Sequence, residues 1–204
     1  ALVEEARAKG IRILTGSAVI EARGSKHVTA ARVAAIDVKG HKVTSPGEWL
    51  ECDLVASSGG YSPVVHLASH LGGKPIWRED ILGFVPGEAP QKRVCVGGIN
   101  GVYGLGDSLA DGFEGGVRAA SEAGFGPVEA TLPKALTRLE EPTLALFQVP
   151  HEKNTARAPK QFVDLQNDVT AAAIELATRE GFESVEHVKR YTALGFGTDQ
   201  GKLG

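Results

Sequence analysis

The chain has 204 residues, 42% hydrophobic and 23% charged, with 22 Lys and Arg against 25 Asp and Glu for a net charge of −3 at pH 7. That composition belongs to a folded globular chain and excludes disorder, a collagen-like repeat and a coiled-coil rod. A near-neutral charge gives no global field for phosphate backbones, no apolar run approaches the ~18 residues of a membrane span, and no signal-peptide pattern opens the chain; the expectation is a cytoplasmic protein without nucleic-acid or membrane partners.

Residues 1–9 place Leu2, Val3 and Ala6 on one helical face, and Gly10 stops the helix. No capping residue precedes them and Met is 0 in the chain, so a fragment whose first helix starts upstream is expected. Ile11, Ile13 and Leu14 read as a buried strand continued by residues 18–21, and residues 28–38 with 41–43 as hairpin strands around Lys39-Gly40. Helix, strand and meander in that order is a Rossmann-type trait. Residues 50–57 read as the next strand, broken at Gly59-Gly60 and Pro63, then a short helix at 64–71 and an irregular stretch over 72–90. Two more short strands are expected at 94–96 and 101–105, the second running into Gly106-Asp107, a turn, and a small-residue helix at 113–123.

Cys52 and Cys95 each sit in an apolar stretch, as small buried hydrophobes do, and two cysteines without a CxxC pair cannot make a four-thiolate site. Prolines gather after Gly126, which reads as a long connection with one strand-like run at 144–147. From Lys160 the pattern is helical: Thr170 caps 171–180 and Gly181 ends it, then Ser184 caps 185–193 and Gly195 ends that. The expected division is 1–128, a linker over 129–158, and a small helical module over 159–204.

Two local patterns suggest ligands. In Val102-Tyr103-Gly104-Leu105-Gly106-Asp107, a strand-end aspartate beside glycine can accept hydrogen bonds from ribose or ribityl hydroxyls while the following helix favours phosphate; equally, Asp107 can merely cap that helix. In the loop Gly197-Thr198-Asp199-Gln200-Gly201-Lys202, Thr198 and Gln200 as donors with Lys202 as a point charge suit a phosphate or a flavin edge, against the alternative of a glycine-rich helix end. Asp199 would repel a phosphate, so it is expected to face a backbone amide or a basic group. His66 and His70 lack a third metal ligand nearby, and Asp111 could shape a nicotinamide site or only begin the helix. No catalytic acid, base or nucleophile and no metal site is assigned.

Residues 52–63, CDLVASSGGYSP, with VYGLGD after them, resemble the second half of the two-dinucleotide-binding-domain flavoproteins. The usual Ala-Thr-Gly is here Ser58-Gly59-Gly60, and the GxGxxG of a first nucleotide-binding strand is absent. FVDLQNDVT, VKRYT and GFGTDQGK resemble the bacterioferritin-associated-ferredoxin type of module. Its four cluster cysteines are replaced by Asp164, Gln166, Asp199 and Gly204, so no iron–sulfur cluster is expected.

The combination resembles the alpha subunits of heterotetrameric sarcosine oxidases. The resemblance implies an α/β fold: residues 1–128 as the C-terminal part of a Rossmann-like FAD/NAD(P)-binding domain, and 159–204 as the cysteine-free helical module. It further implies NAD held through Gly59, Gly60, Gly106 and Asp107, and FMN at the interface with a beta subunit, walled by Thr198, Gln200 and Lys202. FAD is implied in the partner subunit, with beta, gamma and delta subunits as partners. The implied reaction is oxidative demethylation of sarcosine to glycine with hydrogen peroxide formation. The chain stops before the family's folate-binding domain and is expected to be inactive alone. The alternatives are an opine- or proline-type dehydrogenase subunit, or a non-catalytic assembly module with exposed apolar surface on the helices of 171–193.

Overall fold

A computed structural model describes residues 2–126, 131–135 and 144–201. They fall into two compact units, one built from the described residues of Ala1–Ala56 and Leu146–Gly204, the other from those of Ser57–Ala145. These units do not follow the linear division at 128 and 158, because packing joins the first strands to the C-terminal helices, which are far apart in sequence.

In the first unit, α1 (Leu2–Ala8) precedes a three-stranded antiparallel sheet in the order β1 (Ser17–Gly24), β2 (Val28–Ala35), β3 (Glu48–Glu51). The central strand β2 buries Ala30, Ala31 and Ala34, small side chains that suit a strand paired on both edges. A register shift between Val19 and Glu21 marks a bulge at Ile20, which is buried. Arg23 lies over the Trp49 ring at 3.9 Å, a cation–π contact at the sheet surface.

Residues 11–14 are not a strand: Ile11 and Leu14 are exposed and the segment joins no β-ladder among the described residues, though Arg12 pairs with Glu48 of the sheet. The hairpin around Lys39-Gly40 is reduced to one bridge between Ile36 and Val43. The strand expected over 50–57 ends at Glu51; after the Cys52 N–H donates to the Thr29 carbonyl at 3.2 Å, the chain leaves the ladder and exposes Leu54 and Val55.

The C-terminal part of this unit holds a small antiparallel pair that periodicity did not reveal, β6 (Phe162–Asp164) with β7 (Val169–Thr170). It leads directly into α4 (Ala171–Arg179) and then α5 (Val185–Thr192). The expected caps differ in kind. Thr170 Oγ1 accepts from the Ala173 N–H at 3.2 Å, whereas Ser184 occupies the cap position without a side-chain hydrogen bond. The Phe182 and Tyr191 rings lie 4.7 Å apart, and Ala177 is completely buried.

The second unit starts with the helix α2 (His66–Ser69), shorter than the expected 64–71. The stretch 72–90 is not wholly irregular: β4 (Ile76–Arg78) and β5 (Gly83–Val85) pair antiparallel, with Trp77 and Phe84 edge to face at 5.1 Å. Residues 94–96 and 101–105 are not paired strands. A 3-10 turn (Gly97–Asn100) separates them, and the helix expected from 113 begins at Leu105, as α3 (Leu105–Glu122).

Gly104 is extended and its carbonyl accepts from the Ser108 N–H at 2.8 Å, which closes the first turn early. α3 lies close on the segment before it: a Cβ on Gly115 would strike Val96 and come within 3.2 Å of Val94. Asp111 accepts from the Gly97 N–H at 2.6 Å, so it braces the 3-10 turn from mid-helix and does not begin the helix. No described helix is long and apolar enough to cross a membrane.

Candidate functional site

In the second unit, Gly59 and Gly60 lie in an exposed irregular segment, and Gly60 takes a left-handed φ of +103°. A Cβ at either glycine would meet nothing within 4 Å, so the face they present is open space. Gly106 and Asp107 sit in the first turn of α3, not at the end of a strand. The apolar run 101–105 that suggested the strand is divided between the end of the 3-10 turn and the start of the helix.

The two glycine segments lie side by side. Tyr61 follows Gly60, Tyr103 precedes Gly104, and their rings are 5.4 Å apart and tilted by 32°. The Tyr103 hydroxyl is buried without a hydrogen-bond partner among the described residues, and burial pushes its pKa above the usual tyrosine value. The Asp107 carboxylate is exposed and takes part in no hydrogen bond among the described residues. Its Oδ2 lies over Gly104, where a Cβ would come within 2.8 Å. As an acid in the first turn it is favoured by the helix dipole, yet it bonds none of the turn's N–H groups and keeps both oxygens open to a donor.

The C-terminal loop in the first unit is a different kind of site. Thr198 donates twice to Gln166 Oε1, through its N–H at 2.8 Å and its hydroxyl at 3.1 Å. Both Thr198 hydrogens are thus engaged, and its hydroxyl oxygen is left as an acceptor. Gln200 is exposed at a left-handed φ of 54°, and the Asp199 carboxylate accepts from the Gly201 N–H at 3.3 Å, as expected of a group facing a backbone amide. Lys202, and Gly204 with it, lie outside the described residues.

Asp164 and Gln166, at two of the positions where the resembled module carries cysteines, use their oxygens on protein hydrogens instead. Asp164 is buried and accepts from the N–H groups of Gly195, Gln166 and Asn167, which together hold its pKa below the usual carboxylate range, Gly195 most of all. Among the described residues no group of three or more His, Cys, Asp and Glu is arranged to hold a metal ion.

Sequence reasoning did not find a cavity of about 530 Å³ in the first unit. Val19, Phe147, Phe162 and Ile174 supply apolar wall, while Gln148 and Gln161 bond to each other at 2.6 Å. Its walls come from β1, from residues 147–149 and 159–163 and from α4, so no local pattern marks it.

Residues 158–204 match a family described as the sarcosine oxidase A3 domain. A sarcosine oxidase subunit alpha from Corynebacterium sp. (strain P-1) is 34% identical over 99% of this chain, and one from Corynebacterium sp. (strain U-96) is 37% identical over 99%. A third, from Rhizobium meliloti (strain 1021), is 38% identical over 76% of the chain. The chain spans 21%, 21% and 15% of the length of these three relatives. Among solved structures, L-proline dehydrogenase from P. horikoshii superposes with a TM-score of 0.56 at 18% identity, covering 98% of this chain and 39% of that one. At that identity the likeness is one of fold.

Proposed function

We propose, from the kinship of this chain along nearly its whole length with one stretch of sarcosine oxidase alpha subunits, that it is a cofactor-binding and scaffolding segment of a multi-subunit oxidoreductase. The whole enzyme would oxidise a secondary amino acid of the sarcosine type at a flavin, with hydrogen peroxide formed. Its beta partner would hold FAD and the remaining face of the FMN site, with gamma and delta subunits completing the assembly. Within this chain, Gly59, Gly60, Gly106 and Asp107 would bind NAD, and Thr198, Gln200 and Lys202 would line FMN at the beta interface. FMN supplies the electron-accepting ring when bound.

The observation that carries this reading is the unengaged Asp107 carboxylate beside two glycine segments held together by Tyr61 and Tyr103. Open space at Gly59 and Gly60 fits close backbone approach by a dinucleotide, and the two carboxylate oxygens of Asp107 fit a ribose diol. In the C-terminal loop, Thr198 fits a flavin only as an acceptor, toward a ribityl hydroxyl or a ring N–H.

The test uses the full-length subunit with the subunits that accompany it. Flavin bands near ~370 and ~450 nm are expected in the native sample, the colour being the cofactor's own. Calorimetric titration with NAD should show binding that Asp107→Asn weakens about 10-fold, the worth of a lost charge-assisted hydrogen bond, with flavin absorbance unchanged. An assembly that is colourless and does not bind NAD would leave only the kinship standing.

A second reading, an assembly module, is favoured by the apolar side chains that the helical part exposes. Leu165 is 79% exposed and Val185 78%, with Phe196 also exposed. A partner subunit seated there would be consistent with either reading, and bound cofactor separates the two.

A further inference from the structure

We propose that Asp164 and Gln166 are positioning residues. Through hydrogen bonds to the loop at 195–201 they set its conformation and commit Thr198 to meeting its ligand as an acceptor. The proposal rests on the reading of that loop as a flavin wall, and it narrows that reading to contact with a donor group of the flavin, a ribityl hydroxyl or the ring N–H, in place of the phosphate.

The loop carries strained backbone and is tied both locally and from a distant segment. Ala193, Gly195, Gln200 and Gly201 have φ values of 63°, 71°, 54° and 73°, all left-handed, and for Ala and Gln that conformation is unfavourable. Local bonds include the Leu194 N–H to Thr192 Oγ1 at 3.2 Å, the Phe196 N–H to the Ala193 carbonyl at 3.2 Å, the Gln200 N–H to the Gly197 carbonyl at 2.9 Å and the Gly201 N–H to Asp199 Oδ1 at 3.3 Å. Further ties come from some thirty residues earlier in the chain.

Asp164 Oδ2 accepts from the Gly195 N–H at 2.8 Å, while Oδ1 accepts from the N–H groups of Gln166 at 2.8 Å and Asn167 at 3.1 Å. One carboxylate therefore fixes the turn after β6 and the start of the distant loop together. At 4% exposure it tolerates its charge only because these donors satisfy it.

Gln166 continues the clamp one step outward. Its Oε1 must accept, since one partner is the backbone N–H of Thr198, and an oxygen that accepts there also takes the Thr198 hydroxyl hydrogen. Gly197 leaves the gap through which this side chain reaches, because a Cβ there would collide with it. Gln166 itself is exposed, so burial of its side chain does not account for this arrangement.

The decisive variants are made in the full-length subunit with its accompanying subunits. Gln166→Leu removes the acceptor, Gln166→Glu keeps it, and Asp164→Asn leaves one carboxylate contact facing an amide NH₂. Hydrogen exchange read by mass on peptides covering 194–201 should speed up about 10-fold in Gln166→Leu and in Asp164→Asn, and stay at the wild-type rate in Gln166→Glu. The visible band of bound flavin should shift in Gln166→Leu and recover in Gln166→Glu, which a general loss of stability would not produce.

Wild-type exchange in Gln166→Leu overturns the clamp, and because that side chain is exposed this variant decides the matter even if Asp164→Asn does not fold. Thr198→Val tests the flavin reading separately. Unchanged flavin content and spectrum in that variant overturn the flavin as the thing positioned, whatever the exchange rates show for the clamp.

Discussion

Asp164 combines burial with negative charge, and the sign of its effect on stability follows from its donors. Its folded pKa lies below the ordinary Asp value, with the Gly195 N–H as the largest cause, so it contributes stability above about pH 4 that is lost as pH falls through the lowered folded value. Thermal midpoints of the protein should therefore fall more steeply below about pH 4 in the wild type than in Asp164→Asn. Equal slopes would mean that the carboxylate is not held as its hydrogen bonds indicate.

Gly24 shows a different residue-level requirement. It takes φ +153° at the turn from β1 to β2, and a Cβ would collide with the His27 carbonyl. Gly24→Ala should cost about 1–3 kcal/mol in thermal unfolding, whereas Gly59→Ala, with open space around it, should stay within about 0.5 kcal/mol. Asp107 and Thr198 were legible in the sequence as polar groups in glycine-rich turns. Their bonding was not, because whether an oxygen is free or engaged depends on residues such as Gln166 that meet it only in the fold.

At the scale of elements, cap chemistry distinguishes two helices that look alike in sequence. Thr170→Ala should destabilise α4 by about 1 kcal/mol, since the Ala173 N–H loses its acceptor, while Ser184→Ala should cost only a few tenths by the same denaturation measurement. On α3, Gly115→Ala gains helix propensity of about 1 kcal/mol but forces Val96 to move, and the net effect should be destabilising by about 1–2 kcal/mol. Gly116→Ala meets nothing within 4 Å and should stabilise instead.

The helices of 171–193 were readable because their caps and glycine stops are local signals. The start of α3 was misread because Gly106 and Gly112 resemble breakers, yet hydrogen bonds from Ser108 to the Gly104 and Val102 carbonyls close its first turn. The strands expected at 94–96 and 101–105 failed for the opposite reason: apolar content was read as pairing. Val94 and Val96 do face a neighbour, but it is Gly115 of a helix and not another strand.

For the whole molecule, the buried apolar set of the described residues is small in side-chain size: Ile20, Val85 and Val169 with five alanines, Ala30, Ala31, Ala34, Ala68 and Ala177. An alanine buries about one methyl group, worth roughly 0.8 kcal/mol, against 1.5–3 kcal/mol for a larger aliphatic side chain. Leu54, Val64, Leu67, Phe147 and Leu165 meanwhile remain exposed. Produced alone, the chain should bind a hydrophobic dye such as ANS and unfold at low urea concentration. A cooperative transition at high urea with no dye signal would contradict that reading.

From the sequence alone came the mixture of helices and strands, the C-terminal helices with their stops, the two glycine-rich turns and the similarity to sarcosine oxidase alpha subunits, since all of these are written in local patterns or in residue order. Only the tertiary structure decided that residues 2–56 pack with 146–201 in one unit, that α3 begins at Leu105, and that Asp164 and Gln166 reach across some thirty residues to hold Gly195 and Thr198. The physical reason is the range of the interactions. Helix caps and turns are fixed within a few residues, whereas buried carboxylates, paired strand edges and cavity walls are fixed by partners whose distance in sequence carries no signal.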